Sequence, residues 1–296
     1  MSGELVWERD GAGWPNREAS SFIEAAGLRW HVQHMGSGPV LLLAHGTGAS
    51  THSWRDLAPA LARHFTVVAP DLSGHGFTAK PPSSRMSLAG MSADLSALMA
   101  ALGVRPALAA GHSAGAAILC RMALDGSIAP KGLVSLNGAL LAFRGVAGHI
   151  FSPLAKLLAS NPFAATILVA TMSSRRSVER LLEETGSTID EAGIELYHRL
   201  VRSPVHVGAA LGMMANWDLE GLERDLPRLP VPLLQIVGSR DRSIPPSAAF
   251  KVRGLAPDAA VDERRGLGHL AHEERPAEHA DLIVAFARKV GVLEPA

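Results

Sequence analysis

The sequence predicts an α/β fold: a mostly parallel central sheet with helices on both faces and an inserted helical cap. Three observations carry that expectation. From Pro39 onward, short apolar runs alternate with helix-compatible stretches, the pattern of strands buried on both faces. A glycine-flanked serine, in Gly111, His112, Ser113, Ala114, Gly115, stands between one such run and a helical stretch. Between Gly138 and Pro227 the alternation lapses and no strand-like run appears.

The elements follow in chain order. Residues 1–20 read as an irregular arm, because Gly11, Gly13, Pro15 and Asn16 break any periodicity; Trp7 and Trp14 are its expected anchors on the body, with a partner contact as the rarer use. Ser21 to Ala26 and Leu28 to Met35 read as an antiparallel edge hairpin around Gly27, the second strand alternating Leu28, Trp30 and Val32 with polar residues. The buried strands are then Val40 to Ala44, Phe65 to Ala69, Ala107 to Ala110, Gly132 to Leu136, Val231 to Val237 and Ala259 to Arg264. Ser87 caps a helix whose Leu88, Met91, Leu95, Leu98 and Leu102 recur every three or four residues until Gly103 stops it. A last helix, about Ala277 to Val290, sets Leu282, Ile283 and Phe286 on one face and closes the sheet. The stretch 139–226 is helix-compatible at Phe151 to Leu158, Val178 to Glu184 and Ile189 to Val201, and is expected to form a cap over the carboxyl ends of the strands. The core would then be 21–138 and 227–296.

Composition excludes several classes of function. Lys plus Arg and Asp plus Glu number 28 each in 296 residues, so no charge excess would hold nucleic acid or an anionic membrane, and a neutral or amphipathic substrate is expected. The single cysteine, Cys120, cannot form an internal disulfide; it reads as packing in a reducing compartment. Residues 1–10 carry Glu4, Glu8, Arg9 and Asp10 and lack the apolar core of an export signal. Ala164 to Met172, among the longest apolar runs, falls far short of the roughly 20 residues of a transmembrane segment. The expected location is the cytoplasm, with peripheral membrane association left open.

Ser113 is the candidate nucleophile, because a sharp strand-to-helix turn exposes its hydroxyl and the flanking glycines keep side chains out of the crowded neighbourhood. Acyl transfer then needs a base, an acid to orient it, and donors for the oxyanion. Of thirteen histidines, His269, in Gly266, Leu267, Gly268, His269 just after the last strand, is the first to follow both nucleophile and acid, in the chain order this topology uses. His272 lies three residues later, but no third ligand has metal-site spacing, so a solvated or carboxylate-paired role is expected; no metal or other cofactor is implied. Asp241, in Gly238, Ser239, Arg240, Asp241, is the acid, unless Arg240 claims it in an ion pair. The rival position, after the Gly132 to Leu136 strand, holds Asn137, which carries no charge to stabilise an imidazolium. The oxyanion donors are the backbone N–H groups of Ala114 and Thr47, the latter in the glycine-rich loop His45 to Gly48; one such donor is worth about 3 kcal/mol in the transition state.

Taken together, the His45 to Gly48 loop, the Asp71 to Gly76 turn, Gly111 to Gly115, the insertion, Asp241 and His269 resemble the α/β-hydrolase fold family over about Ser21 to Val290. More narrowly, Trp14 to Ser20, His45 to Pro59, Gly111 to Met122 and Gly268 to Glu274 look like the magnesium-chelatase accessory proteins encoded with bacteriochlorophyll biosynthesis. Ser73 departs from that group, which usually has proline there; the change bears on loop rigidity.

The triad reading implies a serine hydrolase for an ester, lactone or related acyl substrate, hydrophobic if the apolar cap contacts it. Carbon-carbon hydrolases and perhydrolases share the serine and stay open. Haloalkane dehalogenases and epoxide hydrolases of this fold use aspartate where Ser113 stands, and the epoxide enzymes need cap tyrosines where this chain has only Tyr197. The narrower resemblance implies the alternative of a non-catalytic accessory protein, its partners magnesium chelatase or a tetrapyrrole intermediate.

Overall fold

The computed structural model of the chain describes residues 3–142, 164–172 and 174–295. Eight strands, β1 (Ser20–Ala25), β2 (Leu28–Met35), β3 (Val40–Ala44), β4 (Thr66–Pro70), β5 (Leu108–His112), β6 (Leu133–Leu136), β7 (Leu233–Gly238) and β8 (Ala259–Arg264), form one sheet in the order β1-β2-β4-β3-β5-β6-β7-β8. β1 pairs antiparallel with β2, and β2 with β4; every other pairing is parallel. The β1–β2 turn uses Ala26 (φ 53°) and Gly27 (φ 72°), two left-handed residues whose twist matches that of the flanking strands.

Two strand boundaries move by two residues relative to the apolar runs, and no other moves by more than one. β5 continues through Gly111 and His112, which pair with Ser135 and Leu136, so the turn is confined to Ser113. β7 starts only at Leu233, because Pro230 and Pro232 have no N–H to give a ladder.

The helices are α1 (Trp7–Asp10), α2 (Leu57–Leu61), α3 (Leu88–Leu102), α4 (Ala114–Leu124), α5 (Ala164–Met172), α6 (Arg175–Glu184), α7 (Glu191–Val201), α8 (Pro204–Asn216), α9 (Glu220–Asp225), α10 (Ser247–Leu255), α11 (Ala271–Glu274) and α12 (Pro276–Lys289). They cover both faces of the sheet, and the period of two along β3 shows why. Leu42 and Ala44 pack with Leu95, Leu98 and Ile118 of α3 and α4. Leu41 and Leu43 pack with Leu57, Ile283 and Phe286 of α2 and α12. Ser87 Oγ accepts the Gly90 N–H at 3.2 Å to start α3, and Gly103, at φ 65°, ends it. Cys120 sits inside α4, where burial pushes its thiol up to about 12, out of range of thiolate chemistry.

The described elements between β6 and β7 are the helices α5 to α9 and a 3₁₀ turn at Leu226–Arg228; the helix expected at Phe151 to Leu158 lies outside the described residues. No helix among the described residues is long and apolar enough to cross a membrane. The arm is less irregular than its glycines suggest. Asp10 accepts the Val6 N–H at 2.7 Å and winds α1, and a 3₁₀ turn follows at Arg17–Ala19. Trp14 is buried: its Nε1–H donates to Thr51 Oγ1 at 3.1 Å and its ring meets Phe77 edge-on. The same arm is gripped from α7, since Arg199 donates to the Asp10 and Ala12 carbonyls at 2.8 Å each.

Candidate active site

β5 delivers Ser113 to the carboxyl edge of the sheet, and α4 begins at the next residue. Between them Ser113 adopts φ 51°, ψ −117°, a conformation that costs a residue with a side chain about 1–3 kcal/mol. Its neighbours have to be glycine. A Cβ on Gly111 would stand 2.5 Å from Ala116 N, and one on Gly115 would stand 2.1 Å from the Ala44 carbonyl oxygen. The elbow is tied to β6, because Ser113 N–H donates to the Leu136 carbonyl at 3.0 Å.

Asp241 follows β7 and is buried. Its Oδ1 accepts the Ser243 and Ile244 N–H groups at 2.8 Å each, and its Oδ2 accepts His269 Nδ1–H at 2.8 Å. Facing a carboxylate, Nδ1 carries the hydrogen, which leaves the Nε2 lone pair of a neutral imidazole to take a proton. Arg240 does not form the competing ion pair; its guanidinium points to the Gly266 carbonyl at 3.5 Å. The structure thus brings Asp241 and His269 together. It does not close the serine-imidazole bond: among the described residues Ser113 Oγ forms no hydrogen bond, an open arrangement of the kind that tightens with substrate.

Two backbone donors flank the elbow. Ala114 N–H opens α4 and has no intrahelical acceptor, and Thr47 N–H has no acceptor among the described residues. The loop that carries Thr47 is shaped by His45, whose Nδ1–H donates to the Gly46 carbonyl and whose Nε2 accepts the Leu72 N–H, each at 2.8 Å. Burial lowers the His45 pKa, so it stays neutral and structural. Thr47 Oγ1 donates to Met213 Sδ of α8 at 3.2 Å, a contact between this loop and the helices between β6 and β7.

Other imidazoles pack around His269. His112 Nε2–H donates to the His269 carbonyl at 3.0 Å, and its ring lies 4.7 Å from that of His269 and 4.5 Å from that of His272. His272 corrects the expectation of a solvated or carboxylate-paired side chain. It is fully buried, with Nε2–H donating to Ser53 Oγ at 2.7 Å, and Ser53 in turn donates to Glu273 Oε1 at 2.9 Å. Burial holds both His112 and His272 well below the ordinary histidine range. Among the described residues no group of three His, Cys, Asp or Glu side chains is arranged to hold a metal ion.

Asn137 is the functional candidate that sequence reasoning considered only as a failed acid. It occupies a left-handed conformation, φ 47°, and its Nδ2 donates to Asp241 Oδ2 at 2.8 Å and to the Gly268 carbonyl at 3.3 Å. The available signal was topological: β6 and β7 are paired neighbours, so the residue just past β6 faces Asp241 just past β7.

A family model described as the alpha/beta hydrolase fold matches residues 39–276. The magnesium-chelatase 30 kDa subunit of Rhodobacter capsulatus is 41% identical over 264 residues, which covers 88% of this chain and 92% of that protein. Pyrrolizixenacetamide deacetylase of Xenorhabdus hominickii is 30% identical over 258 residues, 85% of this chain and 91% of that one. In structure, an alpha/beta hydrolase fold protein from Burkholderia ambifaria superposes with a TM-score of 0.76 at 23% identity, covering 90% of this chain and 97% of the other, a likeness of fold alone.

Proposed function

The chain belongs to the α/β-hydrolase fold family, and on that premise we propose that it is a serine hydrolase acting on an ester, lactone or related acyl substrate. One arrangement supports the reading: Asp241 Oδ2 holds His269 Nδ1 at 2.8 Å, and the strained Ser113 keeps its hydroxyl without a hydrogen bond among the described residues. In the mechanism, Ser113 Oγ attacks the acyl carbon and its proton passes to His269 Nε2. The oxyanion takes the Thr47 and Ala114 N–H groups, and Asp241 stabilises the imidazolium. The leaving group departs with the proton from Nε2. Water, deprotonated by the same nitrogen, then cleaves the acyl-serine ester and regenerates Ser113. Helices of 139–226 serve as the cap over this site, and the apolar character of that cap favours a hydrophobic acyl group. A fluorophosphonate probe tests the assignment: it is expected to label Ser113 in the native protein and to fail in His269→Ala. Folded native protein that resists the probe would overturn it in favour of a binding role.

A second reading concerns the pathway, and the 41% identity to a protein named as a magnesium-chelatase subunit favours it. Magnesium insertion into a porphyrin involves no acyl hydrolysis, so a hydrolase in that setting would act on a tetrapyrrole ester or a by-product, in the cytoplasm or at a membrane surface, in partnership with magnesium chelatase. The accessory alternative needs only binding of the chelatase or its porphyrin. Deleting the gene in a bacteriochlorophyll-producing host and identifying the pigments that accumulate tests this link; unchanged pigments would remove it and leave the hydrolase assignment standing.

A further inference from the structure

The insertion meets the acid and the base at one short turn. After α6 the chain passes through Thr185, Gly186 and Ser187, wedged between the loop after β7 and the loop after β8. The Thr185 carbonyl accepts Arg242 N–H at 3.1 Å and His269 N–H at 3.3 Å, so one oxygen ties the backbone beside Asp241 to the backbone of the base. Ser187 Oγ accepts the Leu270 N–H at 2.8 Å. Gly186 fills the space that is left. It has φ 85°, a Cβ on it would lie 2.0 Å from the Arg240 carbonyl oxygen, and a Cβ on Gly268 would lie 2.3 Å from the Gly186 carbonyl carbon.

A second grip lies four residues past the base. Buried Glu273 accepts Tyr197 OH at 2.6 Å, and the Arg55 guanidinium joins Glu273 to Asp190, which caps α7. The segment that carries His269 is therefore held from the insertion at both ends. An acid-base pair tolerates little looseness, since misplacement by about 1 Å can cost roughly 100-fold in rate.

Building on the serine-hydrolase assignment, we propose that Thr185, Gly186 and Ser187 are positioning residues: seated between the two loops, the turn sets the alignment of Asp241 with His269. Catalysis is thereby tied to seating of the insertion over the site. The test compares the native full chain with Gly186→Ala and Ser187→Ala. Two quantities are read: the second-order rate of fluorophosphonate labelling, and the downfield proton resonance of His269 Nδ1 in its bond to Asp241. Thermal unfolding reports that each variant is folded. Labelling is expected to fall about 100-fold in Gly186→Ala and about tenfold in Ser187→Ala, with the resonance shifted or broadened. Native labelling rates and an unmoved resonance in folded Ser187→Ala would overturn the proposal, and that variant decides alone if Gly186→Ala does not fold. Failure of the native chain to label would count against the hydrolase assignment instead. The resonance then judges the turn by itself: movement in Ser187→Ala supports positioning, and constancy refutes it.

Discussion

Asn137 Nδ2 and His269 Nδ1 donate to the same oxygen of Asp241, Oδ2, each at 2.8 Å. An amide thus fixes the carboxylate from the side opposite its other oxygen, which is occupied by the Ser243 and Ile244 N–H groups. Asn137→Gly keeps the left-handed backbone and removes this donor. Turnover is expected to fall about tenfold with little change in KM, the usual cost of losing one hydrogen bond to a buried charge. Asn137→Asp should be worse, because two carboxylates at this separation cannot both ionise and the retained proton competes for His269. Steady-state kinetics on any ester the protein turns over would decide, and an unchanged kcat in Asn137→Gly would assign the amide to stability alone.

Asp241→Asn probes the tautomer. Asparagine at this position would present an amide to Asn137 Nδ2 and His269 Nδ1 with only one acceptor oxygen, so the imidazole loses its reason to carry hydrogen on Nδ1. The fluorophosphonate labelling rate is expected to drop by roughly 10³ to 10⁴ while the protein stays folded. A rate within a factor of ten of native would mean that another group orients His269.

How much of this was legible in the sequence depends on the range of the interaction. Gly111, Gly115 and Ser113 are read locally, because a turn between an apolar run and a helix needs small neighbours whatever surrounds it. The strand pattern, and with it the order of Ser113, Asp241 and His269, follows from alternation along the chain. Asn137 and Asp241 are 104 residues apart, and nothing in an asparagine's local sequence says which carboxylate its amide will meet. The Thr185 carbonyl is harder still to foresee, since every residue has one and only the packing of the turn after α6 selects which amides it receives. His272 shows the opposite failure: its spacing from His269 suggested a wet or ion-paired side chain, whereas burial of its ring against Trp54 and its bond to Ser53 decide its state.

The strain at Ser113 predicts a separation of stability from activity. With φ 51° and ψ −117°, the residue sits where glycine is at ease and a side chain is not. Ser113→Gly and Ser113→Ala should both abolish labelling, but the glycine variant should be the more stable by about 1 kcal/mol. Urea unfolding at neutral pH measures the difference. Equal stability of the two variants would show that the elbow stores no strain.

Acid sensitivity should centre on His206 of α8. Its Nδ1 accepts the Gly76 N–H and its Nε2–H donates to the Gly48 carbonyl, each at 3.1 Å, so a neutral ring has both nitrogens in use and a second proton would break the first bond. Burial, chiefly, lowers its pKa from 6.5 to about 4; nearby His45 adds to the lowering, while Asp71 and the Gly48 carbonyl oppose it. The unfolded chain therefore binds a proton near pH 6.5 that the folded chain refuses until about pH 4, and stability present above that window is lost as pH falls through it. A shift of this size is worth roughly 3 kcal/mol at full development. In His206→Gln the group cannot titrate, so the fall of unfolding free energy between about pH 6 and about pH 4.5 should be shallower by up to about 1.4 kcal/mol per pH unit. The remaining slope belongs in part to His52, His75, His112 and His272, all held well below the ordinary range by burial. Urea melts of both proteins across that range supply the test, and parallel curves would remove His206 from the acid response.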